Sequence, residues 1–379
     1  MEDEADILNV DMEDEVIVEV EETDESAHLM EQPFDPTKIN IETKTPSLDT
    51  LIKRIKRNSV AMNTETYFQR KGDLWDKGKQ SRLIESILIR FPLPAFFFDA
   101  SDENNWLIVD GLQRLSSLRN FCIDKSLKLT NLEFLTNLEG KGWDDLPDNL
   151  QREIEETQVV IFKILPGTPT DVKFNIFKRI NTGGLVLEPQ EIRHALFQGK
   201  PAQFIARLAQ TNEFRKATEY KIRTDRMLDR DFANRFLCFY LLEFDAYQSD
   251  LDTYMSAAMA QINNLTEEEL DEVEKKFKYA MNLSYLIFGN EAFRKVRKDT
   301  VRRPPINKAM FDAISVQFAK LGPKEGEQLI ANKDNFTNML KSELSKYGEF
   351  FTSVTSGTGD KRRVLFRHNK IKELICQNL

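Results

Sequence analysis

The chain of 379 residues is 41% hydrophobic and 10% aromatic, with 27 Phe, enough to bury a sizeable core and to suggest two domains. It shows no long uncharged apolar run and no basic-then-apolar leader, so neither a membrane partner nor a secretory signal is expected. Three dispersed cysteines (Cys122, Cys238 and Cys376) read as core residues in a reducing cytoplasm, and three histidines make a His-rich metal site improbable.

The net charge of −9 is unevenly spread. Residues 1–37 hold 15 Asp or Glu and no Lys or Arg, leaving 53 basic against 47 acidic residues in the body. The segment 1–37 therefore reads as an acidic disordered tail, either a solubilising one or an acidic strip that folds onto a basic groove and competes with a polyanion. From Ser47 the pattern turns helical, with Leu48, Leu51, Ile52 and Ile55 on one face after a Ser cap. A loop carrying Tyr67, Gln69, Arg70 and Trp75 follows. The next helix covers about 80–90 and stops at Pro92 and Pro94. Strands are expected at about 95–99 and 105–109, the second running into Asp110-Gly111-Leu112-Gln113-Arg114 and a helix to about 122. A helix near 145–156 precedes a strand over Gln158 to Leu165. The helix bearing Val172, Ile176, Phe177 and Ile180 stops at Asn181-Thr182-Gly183-Gly184, and another starts at Pro189. Beyond about 199 helical periodicity dominates. The expected organisation is a tail (1–37), a domain over 38–198 with a small sheet, and a helical domain over 199–379: an α+β chain.

Asp110 to Arg114 carries the chemistry. A strand-to-helix turn points free backbone N–H groups at one spot, where the helix dipole adds partial positive charge. Gly111 makes that turn, and Arg114 can add a forked contact to phosphate. Asp110 can hold Mg²⁺ or orient a water, and Gln113 can position a nucleophile. The bland alternative is a helix cap with Asp110 and Arg114 paired four residues apart.

Four blocks agree in order and spacing with one family. They are Tyr67-Phe68-Gln69-Arg70 with Trp75; Ser81 to Leu88 with Pro92-Leu93-Pro94; Ile108 to Arg114; and Phe177 to Gly184 with Leu187 and Glu191-Ile192-Arg193. Over about 47–198 the chain resembles the N-terminal domain of GmrSD-type modification-dependent restriction enzymes, a family built around an Asp-Gly-Gln-Gln-Arg motif. The resemblance implies a ParB/sulfiredoxin-like fold. It also implies nucleotide binding and hydrolysis at that motif, in defence against foreign DNA such as phage. On that reading Asp110, Gln113 and Arg114 are catalytic, with Mg²⁺ on Asp110. Gly111, Arg70, Asn181, Gly183 and Arg193 then hold the nucleoside triphosphate. Leu112 stands where the family has its first motif Gln, which leaves a DNA-binding module without turnover, or a DNA nickase using the same pocket, as alternatives.

A basic run over 294–308 includes Arg294, Lys295, Arg297, Lys298, Arg302, Arg303 and Lys308. It is either a solvated face or a phosphate-backbone contact for DNA, with Arg297, Lys298, Arg302 and Arg303 as the contacts. No HNH-type nuclease pattern accompanies His28, His194 or His368. Any endonuclease activity is therefore expected from the Asp110 domain itself or from a partner nuclease, with a homo-oligomer also open.

Overall fold

The computed structural model describes residues 17–19, 36–61, 75–180, 187–248 and 250–379. The chain divides between Phe197 and Gln198 into two compact units, and residues 17–19 belong with the second.

The first unit is built on a five-stranded sheet in the order β1-β5-β3-β4-β2. Its strands are β1 (Ile41–Lys44), β2 (Val60–Ala61), β3 (Phe96–Asp99), β4 (Trp106–Asp110) and β5 (Ile161–Ile164). β3 and β4 pair antiparallel, with Asp110 opposite Phe97 and a register shift between Phe97 and Phe98. β3 runs parallel to β5, β2 runs parallel to β4, and β1 closes the other edge antiparallel to β5. Both faces are covered because the strand side chains alternate. Phe96, Phe98, Trp106 and Ile108 enter one core with α1 (Leu48–Lys56) and α2 (Lys77–Leu88). Val109 and Ile164 enter another, against Val172, Phe174, Ile176 and Phe177 of the helix Thr170–Ile180.

The helix after β4, α3 (Leu112–Leu118), widens into a π turn over Arg119–Ile123. α2 caps as its sequence suggests: the Asp76 carboxylate accepts the Lys79 N–H at 2.9 Å. The helix Pro189–Leu196 starts with Pro at its first turn, and Glu191 reaches back to the Glu188 N–H at 2.7 Å.

The second unit is helical. Its aromatic centre joins Phe214, Phe232, Phe236, Phe277 and Phe311, with the Phe232 and Phe311 rings edge-on at 5.0 Å. The helix Lys308–Ala319 is buried from Ala309 to Ala319, all round rather than along a stripe. Together the units make an α+β chain, a small sheet near the N-terminus followed by helices.

Two expectations need correction. Cys376 is exposed, not a core thiol, because it ends the helix Lys361–Cys376 on the side away from buried Ile371, Leu374 and Ile375. Cys122 and Cys238 are buried, and burial pushes the Cys122 thiol up to about 12. Ile17–Glu19, inside the stretch read as a disordered tail, instead pair with the second unit through a parallel bridge from Val18 to Ile306. Among the described residues no helix is long and apolar enough to cross a membrane.

Candidate functional site

Asp110 ends β4 and Gly111 turns the chain at φ 106°, a left-handed conformation that glycine adopts without strain. A side chain at 111 would also collide with Phe96: a β-carbon there would lie 2.5 Å from its ring. Phe96 is fully buried and cannot step aside. Gly111→Ala is therefore expected to cost about 1–3 kcal/mol, read as a lowered denaturation midpoint with unchanged slope. An unchanged midpoint would contradict this packing.

The aromatic ring that excludes a side chain at 111 also carries Arg114, whose guanidinium carbon lies 4.3 Å above it. Arg114 is buried, at 9% side-chain exposure. Its donors go to the Pro94 carbonyl, the Ala95 carbonyl at 3.0 Å and the Asp110 carboxylate at 2.9 Å. The expectation of an outward phosphate fork on Arg114 is thus replaced by an inward one. The antiparallel β3–β4 pair brings two strand-entry carbonyls to this guanidinium, and unpaired buried carbonyls are costly. Asp110 is half-buried. Burial pushes its carboxyl above the ordinary range although the Arg114 charge and the Gly111 amide pull it down. Burial likewise lowers Arg114 below the ordinary guanidinium value, against the pull of Asp110.

Gln113 leads away from the core. Its carboxamide oxygen accepts the Trp75 N–H at 3.1 Å. The Trp75 carbonyl accepts from Gln80 at 2.6 Å, and Gln80 accepts from Asn120 at 2.9 Å. The motif helix, its continuing π turn and α2 are thereby tied to the end of the Tyr67–Trp75 block. Arg70 lies outside the described residues, as do Asn181 and Gly183.

Arg193 is at 1% exposure, with Nε donating to Gln190 Oε1 at 2.8 Å and the guanidinium 5.6 Å from the Phe174 ring. It braces the core of the sheet's second face rather than facing solvent. Glu85, on α2, is also internal. Its carboxylate accepts the Glu133, Phe134 and Leu135 amides at 3.0, 2.7 and 2.7 Å. Burial alone would raise its carboxyl, but those three donors hold it below the usual value.

Sequence reasoning missed a third polar cluster. Asp99, at the far end of the β3–β4 pair from Asp110, receives Lys173 at 2.9 Å, and Ser101 Oγ donates to it at 2.5 Å. Lys173 lies one helix away, and neither it nor Ser101 shows any motif spacing. Among the described residues no group of three or more His, Cys, Asp or Glu could hold a metal ion.

The basic run of the second unit is largely spent on internal pairs. Arg294 is buried and bridges the Pro304 carbonyl at 2.6 Å and Glu219 at 2.8 Å. Arg303 meets Glu219 at 3.0 Å, Arg297 meets Asp299 at 3.1 Å and Lys308 meets Asp231 at 2.8 Å. Lys298 and Arg302 stand exposed beside Val301, which is fully exposed.

Compared with known protein families, the chain matches the GmrSD restriction endonuclease N-terminal domain over residues 48–198. Residues 48–198 are similar to that GmrSD-type domain. The GmrSD-type domain takes in β2 to β5, the Asp110 turn and the helix Pro189–Leu196, and it ends at the boundary between the two units. No curated protein and no solved structure matches the chain.

Proposed function

We propose that this chain is a restriction-type protein acting on DNA, whose GmrSD-type domain binds a nucleoside triphosphate with Mg²⁺ at the Asp110 turn. The observation that carries the reading is a half-buried carboxylate at the end of a strand, followed at once by a left-handed glycine and a helix. Phosphate oxygens would meet the amides of that turn, and Asp110 would serve the metal or the attacking water. Burial raises the Asp110 carboxyl above its ordinary value, against the Arg114 charge and the Gly111 amide. Gln113 holds the Trp75 end of the neighbouring block. Arg114 fixes Asp110 from behind and does not touch the ligand. DNA would meet Lys298 and Arg302 at the exposed tip of the basic run, with Arg297 and Arg303 beside them.

A second reading, a DNA-binding module without turnover, is favoured by Leu112. Its side chain packs against the core where the family motif has a polar one.

The test is hydrolysis of each nucleoside triphosphate by the full chain, with Mg²⁺, with and without duplex DNA, beside Asp110→Asn. Turnover that Asp110→Asn reduces roughly a hundredfold or more supports the first reading. Binding without turnover supports the second. Neither binding nor turnover would sink the nucleotide reading.

A further inference from the structure

The basic run is shaped as a braced hairpin. Arg294 and Ile306 form an antiparallel bridge at its base, and the Asn307 N–H donates to the Phe293 carbonyl at 2.8 Å. Arg294 ties the returning side down through the Pro304 carbonyl and Glu219, and Arg303 shares that glutamate. The tip keeps Lys298, Val301 and Arg302 exposed.

On the free edge of Ile306 lies Ile17–Glu19. The Ile306 N–H donates to the Ile17 carbonyl at 2.9 Å, and the Glu19 N–H donates to the Ile306 carbonyl at 2.8 Å. The Glu19 carboxylate then receives Lys295 at 2.5 Å and Asn307 Nδ2 at 3.0 Å. A short extended segment is thus paired to the hairpin base by two main-chain bonds, and the Glu19 carboxylate sets its register. Its sequence neighbours are strongly acidic, with Asp14 and Glu15 before it and Glu21 and Glu22 after it.

We infer that the acidic N-terminal segment is an intramolecular competitor, docked by Ile17–Glu19 at the base of the 294–306 hairpin, that polyanions must displace. Two main-chain hydrogen bonds, the Glu19–Lys295 ion pair and the Asn307 side-chain bond to Glu19 make a small dock that can be lost without unfolding what lies beneath. Tethering gives the segment a high effective concentration at the hairpin, so even weak docking competes with a ligand in solution. The inference rests on the proposed DNA-contacting face only for the identity of the polyanion.

The test uses the full chain and Glu19→Pro, which removes both the donated amide and the carboxylate. Glu19→Gln, which keeps the amide and loses the charge, serves as the milder variant. Three readouts are taken: exchange of the Ile306 amide, affinity for a short DNA duplex across salt concentrations, and retention on heparin. In Glu19→Pro the Ile306 amide should exchange faster. Duplex affinity at low salt should rise roughly threefold to tenfold, heparin retention should lengthen, and Glu19→Gln should fall between. Faster exchange with unchanged affinity and retention would overturn the inference. So would an Ile306 amide that already exchanges as fast in the wild type. Longer heparin retention with no duplex binding by any form would support the competitor while removing the DNA reading.

Discussion

Asp312→Ala is expected to cost the second unit about 3–5 kcal/mol. Asp312 is wholly buried. It takes Arg367 in a two-pronged contact at 2.9 and 2.8 Å and Arg235 at 3.2 Å, and His368 lies 3.5 Å away. Removing the carboxylate takes from two buried guanidinium groups the counter-charge they share. Urea unfolding checks this, and a loss under about 1 kcal/mol would mean the cluster relaxes into water. Acid should act in the same direction. Burial would raise the Asp312 carboxyl, but the Arg367 charge, with His368 and Arg235, outweighs it and holds the carboxyl at about 2 against an ordinary 3.8. Its contribution is therefore complete above pH 3.8 and is lost as pH falls from there toward 2. His368 is held below its ordinary value, chiefly by burial and against the pull of Asp312. The folded state therefore refuses a proton that the unfolded chain accepts below about 6.5, so acidification through that range also destabilises. A pH series of urea midpoints from 7 to 2 should fall in Asp312-containing protein and flatten at its acid end in Asp312→Asn.

Arg114→Ala is expected to destabilise the first unit by about 3 kcal/mol. It would leave the Pro94 and Ala95 carbonyls and the Asp110 carboxylate without the guanidinium, and it would strip a cation from the Phe96 ring. Arg114→Lys should recover only a fraction of this, since an ammonium cannot fork between a carboxylate and two carbonyls. Asp110→Asn should cost less than Arg114→Ala, about 1–2 kcal/mol, because it removes the counter-charge of buried Arg114 but keeps an acceptor there. An amide oxygen still accepts from Arg114, and the half-buried charge whose burial opposes ionisation is gone. The opposite pattern, Arg114→Ala stable but Asp110→Asn unfolded, would contradict the inward role given to Arg114.

The strand–glycine–helix turn was legible because it is local. An apolar run of Trp106 to Val109, a glycine and an apolar helical stripe follow one another directly. The direction of Arg114 was not, since its carbonyl partners reach it only when β3 pairs with β4, some twenty residues away. β1 escaped notice because its four residues lie on an exposed edge and show no alternation to read. The helix Leu251–Ile262 carries a weaker local signal than its neighbours. Its Ala- and Met-rich sequence lacks the polar face that marks a surface helix. His368 read as a stray histidine, because the aspartate it faces lies more than fifty residues earlier in the chain. The basic run was legible as charge, but its internal pairing depends on Glu219 and Glu19, which sequence alone does not bring near.

Calorimetric titration of nucleoside triphosphate into the full chain, with and without Mg²⁺, tests the central claim most directly. The wild type should bind in a Mg²⁺-dependent way. Asp110→Asn should lose roughly tenfold or more of that affinity while remaining folded at the temperature of the titration. Identical binding by the two proteins, or no binding to the wild type at millimolar nucleotide, would contradict a nucleotide site at the Asp110 turn.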